Sequence, residues 1–215
     1  MKLFIQYPKD NQTGKGRFFQ RIVPHLEALG VKCFYENDKC DITIAPIRFR
    51  EKTKGIPRVL RVDGIHLFGA KRGRNEIIEH DLRKADAVIW QSEFSRRMAT
   101  GIFGFTPKTE AVIFNGANPI PRRPEKSEML RIIMSAKWIS DGELRPHKRL
   151  KEMLEMVREY GQKRNIRCWV AGKTDMHAEP PIIMLGHLDE KRLNDYLAMS
   201  DVMLYNLVAA PFGTE

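Results

Sequence analysis

Short apolar runs alternate with stretches of helical periodicity through the first half of the chain. The run Leu3–Tyr7 is typical of a strand, and apolar residues then recur at helical spacing from Phe18 to Leu29. Five more strand-like runs follow up to Gly116, with helix-like stretches near Ile77–Lys84 and from Ser92. Such alternation is typical of a parallel sheet with crossover helices. It predicts a first Rossmann-like domain over residues 1–116.

The pattern stops over residues 117–128 and then restarts. This segment, ANPIPRRPEKSE, carries three prolines and no apolar periodicity, which is typical of a linker. Beyond it lie four apolar runs, LRIIMSA, IRCWVAG, PIIMLG and DVMLYNL, with helical stretches at about 146–160 and 189–199. We therefore expect an α/β protein in which a second Rossmann-like domain, residues 129–215, faces the first across a cleft.

The net charge of the chain indicates which classes of partner it could bind. Thirty-seven Lys and Arg against 27 Asp and Glu give a net charge of +10, which favours an anionic partner: nucleic acid, an acidic membrane surface or phosphorylated small molecules. Most aromatic residues fall in core-like positions, which argues against nucleic acid. The cysteines, Cys33, Cys40 and Cys168, match no zinc spacing and predict free thiols in a reducing compartment. No apolar run approaches the ~18 residues of a membrane span, so we expect a cytoplasmic protein.

Candidate chemistry lies where strands end, because doubly wound sheets bind ligands at the carboxyl ends of their strands. Gly14 and Gly16 would let a backbone approach an anion at the start of the first helix, although a simple turn would need the same glycines. Asp63 and His66 follow the fourth strand and are candidate catalytic groups. Ser92 is positioned to cap the next helix.

A dense group of cations surrounds the start of the first helix of the second domain. In SAKWISDGELRPHKRLKEML, Lys137 follows a strand, and Lys148 and Arg149 begin the helix. Cations at a helix N-terminus would bind a phosphate together with the helix dipole. A solvated basic helix start without a ligand is the alternative.

Five motifs carry a resemblance to a known family. RVDGI, AVIWQSEFSRRM, VIFNGAN, SAKW…HKRL and GHLDEKRLNDYLAMSDVMLY follow one another as in glycosyltransferase family 4, the retaining enzymes of the GT-B fold. The resemblance covers nearly the whole chain. It implies a nucleotide-sugar donor held mostly by the second domain, a glycan or lipid-linked acceptor held mostly by the first, and transfer to a hydroxyl with retention of anomeric configuration.

The same resemblance implies roles for individual residues. Lys137 and Lys148 would hold the donor diphosphate, and Gly14 and Gly16 would approach it. Asp63 and His66 would face the acceptor, although the donor phosphate itself can take the acceptor's proton. Neither a metal nor another cofactor is implied, because cationic side chains and helix dipoles replace the magnesium of other phosphate sites. Further candidate donor or hinge contacts are Arg149, Gly172, Asn115, Gly116 and Ser92.

The chain also departs from the family. Lys137 stands where Arg is common, and the end, APFGTE, places Ala210 at the family's first glutamate and its second beyond the last residue. We therefore expect an incomplete second domain, reduced turnover and self-association through an uncovered sheet edge. Surplus Lys and Arg in the first domain predict an anionic or membrane-surface acceptor, and hence peripheral membrane association. The alternatives are a non-catalytic GT-B relative or partner subunit that binds only nucleotide, and a basic nucleic-acid-binding protein.

Overall fold

Two compact units are present in the computed structural model of the chain. One contains the described residues up to Gly116, and the other contains those from 119 to 206. The structure describes residues 1–9, 14–36, 40–50, 53, 55–65, 72–116, 119–121, 128–140, 143–144 and 148–206. Most of the predicted linker and His66 therefore lie outside the described residues.

The first unit is built on a parallel sheet of six strands. The strand order is β2-β1-β3-β4-β5-β6, so β2 and β3 lie on opposite sides of β1, and from β3 onward the chain moves across the sheet in one direction. Because the strands are parallel, their carboxyl ends all lie along the same border of the sheet, its carboxyl edge. The strands are β1 (Lys2–Ile5), β2 (Lys32–Phe34), β3 (Ile42–Pro46), β4 (Arg58–Val62), β5 (Ala87–Trp90) and β6 (Glu110–Val112).

In the described residues, three α-helices connect these strands: α1 (Gly14–Ala28), α2 (Asn75–Lys84) and α3 (Glu93–Phe103). A short 3-10 helix (Arg72–Arg74) precedes α2. Ser92 is the N-cap of α3, where its hydroxyl accepts from the Ser95 backbone N–H at 3.1 Å, as the sequence predicted. The apolar faces of the helices pack on the sheet around Leu60, Trp90 and Phe19.

The second unit contains a parallel sheet of four strands in the order β11-β10-β7-β12. Each of the four apolar runs contributes one strand. A two-stranded antiparallel ribbon, β8 with β9, is an addition that the sequence did not predict. The strands are β7 (Leu130–Ser135), β8 (Ile139–Ser140), β9 (Glu143–Leu144), β10 (Ile166–Ala171), β11 (Ile182–Gly186) and β12 (Val202–Met203).

Two helices, α4 (Leu150–Gly161) and α5 (Glu190–Met199), accompany the second sheet. The described part of α4 begins at Leu150, where we expected a start near residue 146; residues 145–147 are not described. Its buried residues, Leu150, Met153, Leu154 and Val157, repeat at three- and four-residue spacing and form one apolar face. The α/β class, with a parallel sheet in each half, is confirmed.

The cysteines are free thiols. Cys33 and Cys40 are half-buried, and Cys168 is buried in β10, where burial raises the pKa of its thiol to about 12. That thiol is therefore protonated and inert at neutral pH. None of the described helices combines the length and apolar character that a membrane span requires.

Candidate functional sites at the carboxyl edges of the sheets

Lys148 lies at the carboxyl edge of the second-unit sheet, just before α4. Its ammonium donates to the Tyr205 hydroxyl at 3.0 Å and lies 5.2 Å from the centre of the Tyr205 ring. Tyr205 follows β12, which pairs in parallel with β7. The exposed side chain of Lys137 belongs to the segment that follows β7. Both lysines are therefore placed by the ends of adjacent strands.

Arg149 occupies a different position from its neighbour. Its backbone has a left-handed conformation, with φ of +50°, and precedes the first residue of α4. Its guanidinium donates to the Glu152 carboxylate at 3.2 Å, in the first turn of the same helix. This charge is therefore already paired locally, and a ligand contact by Arg149 stays a prediction.

Gly172 holds two strand ends close together. It follows β10 with φ of +117°, and a Cβ there would lie 2.0 Å from the Ala136 carbonyl oxygen and 2.8 Å from the Trp138 ring. The Trp138 indole N–H donates to the Ala171 carbonyl at 2.8 Å. Glycine is required here for packing, and this packing fixes the backbone on both sides of Lys137. The nucleotide contact of Gly172 stays a prediction.

A buried ion pair lies at the carboxyl end of β4. The Arg61 and Asp63 side chains are 3% and 13% exposed, and the guanidinium donates to the carboxylate. The same guanidinium donates to the Asn115 side-chain oxygen at 2.6 Å and lies 3.8 Å from the centre of the Phe18 ring. Arg61 thus contacts both Asp63 and Asn115, which the sequence indicated as two separate candidates.

Arg61 itself was missed by the sequence analysis. The sequence did contain a signal, since Arg61 stands among the apolar residues of the strand-like run VLRV. A charged residue in a central strand of a parallel sheet requires a buried partner. Asp63, two residues further along, supplies it.

Three more cations lie at the same end of the sheet. Lys15 is in the first turn of α1, and Arg48 and Arg50 follow β3. Lys15 lies within electrostatic range of Arg48, Arg50, Arg61 and Asp63.

Burial shifts the pKa of Lys15 and the pKa of Asp63 in opposite directions. It lowers the pKa of Lys15, the nearby arginines lower it further, and Asp63 acts in the opposite direction. It raises the pKa of Asp63, which Arg61 and Lys15 only partly oppose. The charged form of each group is therefore less stable in the folded chain than in water.

The remaining predicted site residues of the first unit are Gly14, Gly16, Ser92 and Gly116. Gly14 and Gly16 stand on either side of Lys15 in the first turn of α1. The Ser95 hydroxyl, which contacts the Ser92 hydroxyl, donates to the Asp63 carbonyl at 3.0 Å, so the α3 cap is linked to the end of β4. Gly116 follows Asn115 beyond β6, and a Cβ added to it would meet no atom within 4 Å.

Several solved structures are similar to this chain. HepE from Anabaena, crystallised in complex with UDP and glucose, superposes with a TM-score of 0.67 at 11% identity, covering 98% of this chain and 75% of HepE. TarM matches with a TM-score of 0.56 at 16% identity, covering 85% of this chain and 38% of TarM. The GtfA/B complex matches with a TM-score of 0.55 at 14% identity, covering 90% of this chain and 42% of that one. No family model and no curated protein matches the sequence.

These similarities define the class of fold. The chain has the α/β fold with parallel sheets that is found in GT-B proteins, as the motif order predicted. It spans less than half the length of the TarM and GtfA/B chains that it matches. At identities of 11% to 16% the likeness establishes the fold alone.

Proposed function

We propose that this chain transfers a sugar from a nucleotide-sugar donor to an acceptor hydroxyl with retention of anomeric configuration. The observation that carries the proposal is the position of Lys148, which lies at the start of α4 and contacts Tyr205 at the carboxyl edge of the second-unit sheet. Ligands of such sheets bind at that edge. The family-like motif order and the likeness to HepE, which was crystallised with UDP and glucose, support a nucleotide sugar as the donor.

Lys137, Lys148 and the N-terminus of α4 would bind the donor diphosphate. The diphosphate gains negative charge as its bond to the anomeric carbon breaks. Cations and free backbone N–H groups that meet this charge stabilise the transition state more than the ground state. This assignment requires no metal ion. The acceptor hydroxyl oxygen would bond to the anomeric carbon, and its proton would pass to the departing phosphate oxygen.

Asp63 and His66 remain candidates for the acceptor side. In the described residues, the Asp63 carboxylate accepts from Arg61. We therefore assign Asp63 the role of holding Arg61 and orienting groups at the end of β4. To act as a general base, Asp63 would first have to break its ion pair with Arg61.

Product analysis tests this function directly. The chain is incubated with UDP-, GDP- and ADP-sugars, with and without hydroxyl acceptors, and release of the nucleoside diphosphate is followed. We expect release with one donor base and, by NMR, a product with the donor's anomeric configuration. Inverted configuration would refute retention. Binding without any release would instead identify a non-catalytic relative.

A further inference from the structure

One hydrogen bond joins two strand ends at the carboxyl edge of the first-unit sheet. The Arg61 guanidinium, in β4, donates at 2.6 Å to the side-chain oxygen of Asn115, which lies beyond the end of β6. Strand β5 lies between β4 and β6, so the contact spans the width of β5. The bond therefore fixes the Asn115 side chain relative to the sheet.

The chemistry of this bond determines which way the Asn115 amide points. A guanidinium only donates hydrogen bonds, so the amide oxygen is the atom of the Asn115 side chain that can accept from it. If the amide were turned over, its N–H groups would face the guanidinium, the bond would be lost and the two donors would repel each other. The oxygen therefore stays directed at Arg61, and the two N–H donors of the amide are directed away from it.

Arg61 is itself held by contacts other than the one with Asn115. Its side chain is 3% exposed, donates to the Asp63 carboxylate and lies 3.8 Å from the centre of the Phe18 ring. The Asp63 backbone carbonyl accepts from the Ser95 hydroxyl at 3.0 Å, which joins the end of β4 to α3. The guanidinium therefore has its position without a ligand. The Asn115 amide, in turn, loses little conformational freedom when a ligand binds to it.

The N–H groups of the Asn115 amide are accessible to a ligand. Asn115 is exposed, and among the residues that the structure describes none accepts a hydrogen bond from its amide nitrogen. The amide lies at the edge where ligands of such sheets bind. Because the Asp63 carboxylate balances the charge of Arg61, the donor at this position is a neutral amide. A neutral donor suits the hydroxyl or carbonyl oxygen of a sugar, whereas phosphate oxygens bind more strongly to cations.

We propose that Arg61 is a positioning residue that directs the N–H groups of Asn115 toward a neutral oxygen of a sugar acceptor. The sequence indicated Asn115 as a donor or hinge contact and did not indicate Arg61 at all. The donor diphosphate is assigned to the second unit, so the ligand of the first unit is the acceptor. This inference rests on the proposed transferase function for the identity of that ligand, whereas the hydrogen-bonding arrangement belongs to the first unit alone.

Three substitutions separate sugar binding by Asn115 from a structural role. Asn115→Asp keeps an oxygen that accepts from Arg61 and removes the N–H donors, so the chain should keep its stability while sugar binding weakens. Asn115→Ala removes both the oxygen and the donors, so it should lose stability as well as sugar affinity. Gln91→Glu is the matched control, because it makes the same amide-to-carboxylate change just after β5, between the ends of β4 and β6.

Sugar titration followed by NMR measures these effects without any nucleotide sugar. Glucose, galactose, mannose and N-acetylglucosamine are titrated into the isotope-labelled unaltered chain and each variant, and urea unfolding is measured in parallel. We expect sugar affinity to fall about three- to ten-fold in Asn115→Asp and Asn115→Ala, the range of one neutral hydrogen bond, and to stay within about two-fold in Gln91→Glu. Unaltered affinity in Asn115→Asp, or no binding of any of the four sugars to the unaltered chain, would overturn the proposal.

Arg61→Lys tests the positioning role. The new ammonium keeps a charge beside Asp63 but cannot donate to two side chains in the planar geometry of a guanidinium. Sugar affinity should therefore fall about as far as in Asn115→Ala, and Arg61→Lys added to Asn115→Ala should cause no further loss. Independent losses that add up in the double variant would show that Arg61 does not act through Asn115.

A transfer assay separates this inference from the proposed function. In a chain that transfers sugar, Asn115→Asp should raise the KM for the acceptor about three- to ten-fold and leave the KM for the donor within about two-fold. The reverse pattern would overturn the acceptor-side role of Asn115 and leave the function standing. If no sugar is transferred while the titrations give the expected pattern, the function is refuted and the sugar-binding role of Asn115 stands.

Discussion

Arg61 and Asp63, two residues apart at the end of β4, form an ion pair whose side chains are 3% and 13% exposed. The pair is buried in a strand end, and Asn115 and the Phe18 ring complete the surroundings of the guanidinium. A buried pair of this kind adds little net stability compared with apolar residues, but the loss of one partner leaves an isolated charge. The carboxyl edge of the first unit therefore depends on both residues together.

Replacing Arg61 alone should destabilise the first unit. We expect Arg61→Met to lose about 3–5 kcal/mol of unfolding free energy near pH 7, because the ionised Asp63 carboxylate stays buried without its partner. Burial already raises the pKa of Asp63, and removal of Arg61 raises it further. The folded variant then binds a proton more readily than the unfolded chain. Its defect should shrink as the pH falls toward the ordinary range of Asp, in urea unfolding measured at several pH values.

The double variant Arg61→Met, Asp63→Asn is the control for this interpretation. It buries no charge at the end of β4, so it should be more stable than Arg61→Met at neutral pH and lack its pH dependence. If the losses of stability in Arg61→Met and in Asp63→Asn alone simply add up to the loss in the double variant, a direct interaction between the residues is contradicted.

Lys15 should make the stability of the fold depend on pH in the alkaline range. Because burial lowers its pKa, the folded chain binds fewer protons than the unfolded chain between the lowered and the ordinary value. Stability should therefore rise with pH through that window. We expect Lys15→Met to be at least as stable as the unaltered chain at about pH 8, and the difference to narrow toward about pH 10. A difference that does not change with pH, in urea unfolding of both chains, would show that Lys15 is not desolvated.

Gly172 should tolerate no side chain. Gly172→Ala combines a left-handed backbone, φ +117°, with overlap against the Ala136 carbonyl and Trp138, so we expect a loss of about 2–4 kcal/mol in thermal or urea unfolding. Gly186→Ala is the matched control, since Gly186 has φ of +66° but no atom within 4 Å of the added Cβ. Its loss should be about 1–2 kcal/mol. Equal losses would mean that close packing at Gly172 contributes nothing.

Tyr205 should position Lys148 for the donor. Tyr205→Phe keeps the ring beneath the ammonium and removes the hydroxyl that accepts from it at 3.0 Å. We expect nucleoside diphosphate affinity to fall about two- to ten-fold, the range of one hydrogen bond to a charged group that remains partly solvated. Stability should change little. Unaltered affinity, measured by calorimetry, would show that Tyr205 has no part in donor binding.

The spacing of apolar residues along the sequence was sufficient to predict most of the architecture. The alternation of apolar runs and helical segments predicted both parallel sheets, and the buried face of α4 follows directly from its three- and four-residue spacing. The ribbon formed by β8 and β9 was not predicted, because strands of two residues are too short for any periodicity.

The composition of the candidate sites was harder to predict. Lys148 could be found from its place at a helix start, but its contact with Tyr205 joins residues 57 positions apart. Likewise, Arg48 and Arg50 come within electrostatic range of Lys15 because β3 pairs with β1, and no local pattern encodes that pairing. Tertiary placement therefore supplied the residues that the sequence alone left out.

Calorimetric titration with nucleoside diphosphates is the most direct test of the account. UDP, GDP and ADP are titrated into the unaltered chain, Lys148→Glu and the control Lys163→Glu, whose exposed lysine lies just beyond the other end of α4. We predict saturable binding of one diphosphate, a loss of about 2–4 kcal/mol of binding free energy in Lys148→Glu, and little change in Lys163→Glu. Equal affinity in all three chains would contradict a donor site at the start of α4.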